Sequence, residues 1–472
     1  MSDEYTWERW PQAEALVERY LEQFLDGHDA ARALAAETEE RASVRLFDLL
    51  DHIVLSGDPT TGAALRAAGF EEDAVDAPAG CGVYNHPGAQ LPRVVVRRAA
   101  DGRNAKIGGR ELRVESIGLK VESIADFLLA RGLQAPIAGS LLGPYRTAIV
   151  WPEGEEGDGG ERRVALVERR GYRGFVPQER PAGYAQTYLA ARERWATRQR
   201  ATDDEDQGMA ETVRLARELT ATVGRDTAAW IAFEVERDYW QRRNGAAQAQ
   251  RARQDRLGLD WANHDHHTFR SSRAHFAALI ATLEELGFVC RERFYAGSEA
   301  GWGAQVLEQA ACGLVVFADV DLRPDETELD FAHMALPAEE RLGTVGLWCA
   351  LHGESLLGAG MHHLEAQFAF ERLRDDLAAL GVGMMKPFSN FHHLRQAFTR
   401  GERWRVAPVR LERLRASGRI TPAQYQTFLA EGAIGSHLEN LQRRDGFKGF
   451  NQHNVSTIIR ATDPREAVGS RQ

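Results

Sequence analysis

The sequence repeats one local pattern: a strand, a short helix that stops at a glycine, and then two or three further strands. Helices of this kind are predicted at 60–69, 124–131, 273–286 and 370–380, and they stop at Gly69, Gly132, Gly287 and Gly381. Glycine is the residue most often found just after a helix, so each stop has a local cause. A run of strands after each helix favours an α+β chain over a doubly wound parallel sheet. Repeated βαβββ units are expected to pair into curved mixed sheets around a cavity.

Charge and cysteine content exclude several classes of partner. The chain of 472 residues has a formal net charge of −11, so neither a nucleic acid nor an anionic membrane is expected as a partner. Its cysteines, Cys81, Cys290, Cys312 and Cys349, form no Cys-x-x-Cys pair, which argues against a zinc ribbon or a disulfide scaffold. Residues 1–10 lack the basic and apolar regions of a signal peptide. No apolar run approaches the roughly 20 residues of a membrane helix. We therefore expect a cytoplasmic protein.

The segment 263–272 concentrates candidate metal ligands, with three histidines and an aspartate in four consecutive positions. Residues two apart share a face of a strand, so a strand here would point His264, His266 and Arg270 the same way. Neutral imidazoles bind metals and a guanidinium binds carboxylates, so this face has the composition of an active site. The alternative is a polar strand whose histidines are hydrogen-bonded structural residues.

A longer pattern surrounds these histidines. Asp265-His266-x-x-Phe269-Arg270-Ser271 is followed by a predicted helix and then by Arg291-Glu292-Arg293-Phe294-Tyr295. This pattern resembles the vicinal oxygen chelate superfamily and, within it, the 2-oxoadipate dioxygenase/decarboxylase (hydroxyglutarate synthase) family. The resemblance implies that His266 binds Fe(II) and that Arg270 binds a substrate carboxylate. His266 and Arg270 are four residues apart, so both side chains lie on one face of a strand. An arginine that binds a substrate carboxylate should have no acidic partner of its own in the unliganded protein, and we expect this of Arg270.

The same resemblance implies a second histidine ligand at the start of the next module. The best match is His363, in Met361-His362-His363-Leu364, where His362 stands in place of the asparagine usual in that family. The competing candidate is His393, in the pair His392-His393.

The carboxylate ligand is expected on the last strand of a module. We assign it to Asp319, which ends the predicted strand 313–320, and keep Glu308 on the preceding strand as the alternative. In the family that the sequence resembles, this ligand belongs to the last strand of the second module, where we find no convincing glutamate.

A second, weaker similarity covers the N-terminal half. The run 164–175, ending in Gly171-Tyr172-Arg173-Gly174-Phe175, resembles the end of the N-terminal module of the 4-hydroxyphenylpyruvate dioxygenase family, which implies a module without iron. Asp51-His52 repeats the Asp-His pair of the C-terminal half. We therefore interpret 44–183 as a paired βαβββ module with a structural role. The alternative is a second metal site at His52 and Glu168.

The remaining residues divide into four segments. Residues 1–43 are predicted to be an N-terminal helical segment, and 184–258 a helical insertion that links the two halves. Residues 259–400 are interpreted as the metal-binding βαβββ modules. Residues 401–472 are predicted to be a helix-rich C-terminal tail.

These features together predict a non-heme Fe(II)-dependent dioxygenase that acts on a 2-oxo acid, with or without decarboxylation. Two imidazoles and one carboxylate leave one face of Fe(II) open, where the acid can chelate and O₂ can bind. The expected partners are a small carboxylic acid and O₂, and the helical insertion offers a surface for a homodimer. Two alternatives keep the same fold: a metal-dependent lyase or isomerase that needs no O₂, and a metal-free small-molecule binding protein.

Overall fold

The structure is a computed structural model that describes residues 7–57, 60–97, 113–153, 162–451 and 462–465. The chain is α+β, as predicted, and its strands form two mixed open sheets. Residues 1–6, part of the stretch that argues against a signal peptide, lie outside the described residues. No helix within the described ranges is long and apolar enough to cross a bilayer.

The N-terminal sheet has seven strands. They are β1 (Leu50–Ser56), β2 (Glu71–Glu72), β3 (Cys81–Asn85), β4 (Arg93–Arg97), β5 (Arg113–Lys120), β6 (Tyr145–Glu153) and β7 (Arg162–Arg169). Their order is β2-β3-β4-β1-β5-β7-β6. β1 pairs in parallel with β4, and β5 pairs in parallel with β7, whereas β1 and β5 are antiparallel. Each half of the sheet therefore begins with a strand that pairs in parallel with the last strand of its own unit.

The C-terminal sheet has nine strands and follows the same plan. They are β8 (His264–Arg270), β9 (Val289–Tyr295), β10 (Trp302–Gln309), β11 (Leu314–Asp321), β12 (His363–Gln367), β13 (Ser389–Phe391), β14 (Leu394–Phe398), β15 (Glu402–Trp404) and β16 (Ala433–Arg443). Eight of them run in the order β13-β14-β16-β12-β8-β11-β10-β9, and β15 pairs with β16. β8 is parallel to β11, β12 is parallel to β16, and β8 and β12 are antiparallel. The two units of this sheet therefore meet at β8 and β12.

Helices precede, connect and cover the sheets. They are α1 (Pro11–Asp26), α2 (Asp29–Ala42), α3 (Thr61–Ala67), α4 (Ile124–Ala130), α5 (Tyr184–Ala196), α6 (Glu205–Val223), α7 (Arg225–Gln241), α8 (Gly245–Asp255), α9 (Phe276–Glu285), α10 (Thr344–His352), α11 (Phe370–Ala379), α12 (Pro408–Ala416) and α13 (Pro422–Glu431). The four predicted helix stops, Gly69, Gly132, Gly287 and Gly381, all have positive φ angles. Positive φ is a conformation that glycine adopts without steric cost, so these helices end for the predicted reason.

The long helix α7 supports the strand that carries the histidine cluster. Phe233 of α7 packs against His267 and Phe269 of β8, with ring centroids 5.0 and 5.7 Å apart. Most of α7 is buried. One face of β8 is therefore held against a helix, and the other face is left for a cavity.

Two stretches differ from what their sequence predicts. The run 45–55 has the apolar pattern of one strand, but the strand begins only at Leu50, because Leu46–Leu49 form a single 3₁₀ turn. Arg45 donates two hydrogen bonds to Asp48, at 2.8 and 2.6 Å, across this turn. The tail after residue 400 contains the helices α12 and α13, in line with a helix-rich segment, but it also contains the 11-residue strand β16 inside the C-terminal sheet. Nearly all of β16 is buried, so the polar-apolar alternation that reveals a strand is absent.

Candidate metal centre

The C-terminal sheet presents one face of β8 to a small buried cavity. His266, Thr268 and Arg270 line this cavity, whose volume is about 90 Å³. Their shared face follows from the two-residue period of a strand. The structure therefore brings His266 and Arg270 together, as the sequence pattern predicts.

His264 does not follow the predicted alternation. The pairing of β8 with β12 shifts in register between His266 and His264. As a result His264 lines a larger neighbouring cavity of about 500 Å³. Irregular pairing of this kind turns side chains to a new direction. Of the three residues predicted to share a face, only His266 and Arg270 line the small cavity.

Pairing of three neighbouring strands places two glutamates beside His266. β12 runs antiparallel to β8 and puts Glu365 opposite His266, and β16 runs parallel to β12 and puts Glu439 opposite Glu365. His363 precedes Glu365 by two residues and shares its face. All four side chains are buried. We call His266, His363, Glu365 and Glu439 the two-His, two-Glu cluster.

The polar atoms of the cluster lie close together. Nε2 of His266 is 3.2 Å from Oε1 of Glu365. Nε2 of His363 contacts the same oxygen and lies 3.8 Å from Oε2 of Glu439. One ligand atom each from His266, Glu365 and Glu439 lies within 4.8 Å of the others. These separations are short enough for one ion to contact all three residues.

Neighbouring side chains orient the cluster. Asp265 accepts a hydrogen bond from Nδ1 of His266 at 2.9 Å, which leaves Nε2 facing the cavity. Arg443 holds Asp265 with two hydrogen bonds of 3.0 Å each. The hydroxyl of Thr268 donates to Glu365 at 3.0 Å. Such outer contacts fix the tautomer and the ring orientation of a metal-binding histidine.

A further donor holds the second glutamate. The side-chain amide of Gln396, on β14, donates to Oε1 of Glu439 at 2.9 Å. Oε2 of Glu439 is the oxygen that lies nearer His363. Each glutamate of the cluster therefore accepts a hydrogen bond from a neutral donor.

Burial and mutual charge set the protonation states of the cluster. Burial disfavours a charged His266, but Glu365 and hydrogen bonds to Asp265 and Glu365 outweigh it and raise the pKa of His266 to about 10. Burial also disfavours a charged Glu365, but His266 and His363 lower the pKa of Glu365 to about 2. Burial and the charge of Glu365 raise the pKa of Glu439 well above its ordinary value. Without a metal, His266 is therefore expected to be positively charged at neutral pH, and Glu439 to ionise less readily than an ordinary glutamate.

The donor set suits a divalent metal ion. Imidazole nitrogens and carboxylate oxygens are common protein ligands of iron and zinc. Oε2 of Glu365 is buried without a hydrogen-bond partner in the described part of the chain. A cation would offset the repulsion between Glu365 and Glu439, which adds to burial in raising the pKa of Glu439. The cluster could therefore hold a metal ion.

Arg270 reaches the same cavity and has unused donors. Its Nε and Nη1 atoms are buried without hydrogen-bond partners in the described residues. The expectation that it has no acidic partner was wrong, because Oδ2 of Asp319 lies 3.8 Å from Nε. That distance exceeds a hydrogen bond. Burial raises the pKa of Asp319 to about 8 although Arg270 opposes the shift, so Asp319 is mostly protonated at neutral pH. Arg270 therefore keeps a positive charge that Asp319 does not neutralise.

The candidate carboxylates occupy different places. Asp319 lines the small cavity beside Arg270, but the compact group that could hold an ion consists of His266, Glu365 and Glu439. The predicted strand of Asp319 is correct, but its register places it opposite Arg270. The structure therefore favours Glu365 and Glu439 over Asp319 as the carboxylates beside the histidines.

The two alternative candidates lie outside the cluster. Glu308 lines the larger cavity and pairs with Arg291 at 3.3 Å and with Lys448 at 3.5 Å. His393 stacks on Phe391, with ring centroids 5.5 Å apart, at the turn between β13 and β14. Both residues thus have contacts that explain their positions without a metal.

The N-terminal sheet has the same strand pairing around His52 as the C-terminal sheet has around His266, but without the two glutamates. His52 of β1 lies opposite Gly118 of β5, and Gly118 lies opposite Ala165 of β7. These positions correspond in register to His266, Glu365 and Glu439. Glu168 instead accepts a hydrogen bond from the backbone of Ile124 at 2.9 Å. Of the three groups of candidate metal ligands in the described residues, none includes His52 or Glu168.

Sequence reasoning missed Glu365 and Glu439. Glu365 carried a signal, because it follows His363 by two residues within one predicted strand. Glu439 lies in the stretch that we interpreted as a helical tail. The residue that connects this stretch to the site is Arg443, which lies four residues beyond Glu439 on β16 and donates a hydrogen bond to Asp265, next to His266.

The known proteins that this chain resembles are only distantly similar to it. No protein-family model and no curated protein matches the chain. A solved triple mutant of 4-hydroxymandelate synthase from Streptomyces coelicolor is 14% identical, with 88% of this chain and 98% of that chain covered and a TM-score of 0.25. A xylose isomerase-like TIM barrel/4-hydroxyphenylpyruvate dioxygenase fusion protein is 12% identical, with 90% and 52% covered and a TM-score of 0.23. Methylmalonyl-CoA epimerase from Mycobacterium tuberculosis is 12% identical, with 39% and 88% covered and a TM-score of 0.22. At such TM-scores the likeness carries no argument, and the case for a function rests on the cluster itself.

Proposed function

We propose that the protein is a non-heme Fe(II)-dependent dioxygenase that acts on a 2-oxo acid. One observation carries the proposal: a buried group of imidazoles and carboxylates shares a cavity with Arg270, whose Nε and Nη1 have no hydrogen-bond partner among the described residues. A metal ligand set next to a guanidinium with two such donors suits a substrate that both chelates a metal and carries a carboxylate.

Three residues would hold the metal in this proposal. His266, His363 and Glu439 give the two imidazoles and one carboxylate typical of non-heme Fe(II) oxygenases. They come from the first strand of one unit and from the first and last strands of the next. When bound, Fe(II) would supply the redox chemistry that lets O₂ react with the 2-oxo acid.

The residues around the metal would position the substrate and keep water out. Arg270 would bind the carboxylate of the acid that lies farther from the metal, through two parallel hydrogen bonds. Phe294, Trp302 and Phe317 form an apolar wall of the cavity. An apolar wall limits the water that competes with the reacting groups.

The size of the cavity favours a short substrate. A volume of about 90 Å³ has room for several water molecules, which suits a compact 2-oxo acid. The larger cavity of about 500 Å³ shares His266, Phe317 and Phe450 with it and would admit longer groups only if this wall moved. We therefore propose a small dicarboxylic 2-oxo acid, with one carboxylate for the metal and one for Arg270.

A metal-dependent lyase or isomerase is the second candidate, because the cluster has one carboxylate more than an oxygenase needs. In that function the metal would act as a Lewis acid. Glu365, the carboxylate beyond a ligand set of two histidines and one carboxylate, would take a proton from the substrate. This reaction would proceed without O₂.

The experiment is a metal analysis of the protein purified without air, followed by O₂ uptake measured with a series of 2-oxo acids. We expect iron-dependent O₂ uptake that is highest for a short dicarboxylic acid. His266→Ala should lose both the iron and the uptake, whereas Glu308→Gln, a carboxylate outside the cluster, should keep them. Product formation without O₂ would favour the lyase or isomerase. Full iron content in His266→Ala would refute the site.

A further inference from the structure

A second group of potential metal ligands lies at the edge of the C-terminal sheet, three strands away from β8. It combines Glu284 from α9, Cys290 from β9 and His333 from the loop between β11 and α10. One ligand atom from each lies within 4.8 Å of the others. Sulfur, nitrogen and oxygen donors converge here from three separate parts of the chain.

The histidine of this group is already oriented for a metal. Oδ2 of Asp330 lies 2.8 Å from Nδ1 of His333, and Oε1 of Glu284 lies 3.0 Å from Nε2. A carboxylate on one ring nitrogen commonly fixes a histidine whose other nitrogen binds a metal. Arg293 donates to Asp330 at 3.1 Å and to the carbonyl of Leu329 at 2.9 Å, which holds the loop in place.

The geometry points to a zinc site formed by Cys290, His333 and Glu284. Zinc prefers four ligands drawn from thiolate, imidazole and carboxylate groups. The side chains of His333 and Glu284 are 44% and 42% exposed, so water can supply the fourth ligand.

The bound ion would fasten the loop around Asp330 and His333 to the end strand of the sheet. β9 has a neighbour on one side only, and an uncovered edge strand is a place where other chains can pair. Without an ion, the same residues form exposed ion pairs, which stabilise a protein very little. A zinc ion would give this edge a fixed contact that the ion pairs do not.

Cobalt can test this site separately from the two-His, two-Glu cluster. Co(II) bound to a thiolate absorbs in the near ultraviolet through sulfur-to-metal charge transfer, and the cluster contains no sulfur. We expect the full chain, stripped with a chelator and titrated with Co(II), to show this band. His266→Ala should retain the band and Cys290→Ser should lose it. Cys312→Ser is the matched control, because that half-buried cysteine lies outside the group, and its sulfur contacts the carbonyl of Asp226 at 3.1 Å.

A second variant tests the orienting carboxylate. Asp330→Asn should keep the three ligands but weaken zinc binding about 10–100-fold, as loss of an outer-shell partner typically does. Competition with a chromophoric zinc chelator would measure this change, and circular dichroism would show that the variant is folded. A missing charge-transfer band in the unaltered protein, or a band that persists in Cys290→Ser, would overturn the zinc site. Unchanged zinc affinity in Asp330→Asn would overturn the role of the carboxylate.

Discussion

Metal binding at the two-His, two-Glu cluster is expected to release protons near neutral pH, because metal ligands must be deprotonated. His266, with a pKa of about 10, releases one of them. Glu439, whose pKa burial and Glu365 raise well above its ordinary value, holds its proton more firmly than an ordinary glutamate and adds to the release. Glu439→Gln has no proton to lose at this position and should release fewer protons than the unaltered protein.

The pH dependence follows from these protons. Each proton released makes the apparent metal affinity rise by about tenfold per pH unit. Between pH 6.5 and 7.5 the affinity should therefore rise about tenfold in Glu439→Gln, through the His266 proton alone, and more steeply in the unaltered protein. Both pKa values are raised on folding, so the metal-free protein holds more protons than its unfolded chain. Its free energy of unfolding should consequently fall as pH rises from the ordinary histidine value of 6.5 toward 10.

Calorimetric titration in buffers of different ionisation enthalpy counts the protons directly. The titrations would use Mn(II), which does not change oxidation state readily, in a Cys290→Ser background, which removes the sulfur ligand of the zinc group. Glu308→Gln is the control, since it removes a carboxylate that pairs with Arg291 and Lys448 and lies outside the cluster. Affinity that does not change with pH, or equal proton release with and without Glu439, would refute the assigned protonation states.

Two further predictions concern the substrate clamp and the N-terminal sheet. Arg270→Lys should bind the metal normally but lose about 2–4 kcal/mol of apparent transition-state binding for dicarboxylic 2-oxo acids, measured as kcat/KM. The reason is that lysine cannot form the paired hydrogen bonds of arginine. Unchanged kinetics would show that another residue binds the substrate carboxylate. Gly118→Ala should lower the free energy of unfolding by about 1–3 kcal/mol, as overpacking does, because its Cβ would lie 2.2 Å from the ring of His52. Urea unfolding would measure this loss, and a Gly118→Ala variant with an unchanged free energy of unfolding would contradict the prediction.

The fold was largely predictable because its signals are local. The pattern around 264–270 predicted β8 with its observed bounds, and Gly287 and Gly381 end the helices that follow β8 and β12. A helix stop depends on the backbone conformation of one residue, and a strand face depends on residues two apart. Neither requires knowledge of the rest of the chain.

The candidate site was only partly predictable, because its members meet through register. Glu439 faces Glu365 only because β16 pairs in parallel with β12, and a shift of one residue would turn either side chain to the other face. The sequence of β16 does not reveal this pairing, since almost every residue of the strand is buried. His363 was found through the family resemblance, and Asp319 was chosen because its strand was recognised and β16 was not.

Comparison with the N-terminal sheet indicates that the charged residues of the cluster are not needed for the fold. Its Asp51–Arg169 pair, with hydrogen bonds of 2.6 and 2.9 Å, matches the Asp265–Arg443 pair of the C-terminal sheet in position. It forms the same strand pairing with glycine and alanine where the C-terminal sheet has its two glutamates. The fold therefore does not require ionisable residues at these positions. Buried carboxylates destabilise a protein unless they are paired or bind a cation. A sheet that holds two of them against two histidines therefore has the composition of an ion-binding site, whereas its counterpart has the composition of a packed core.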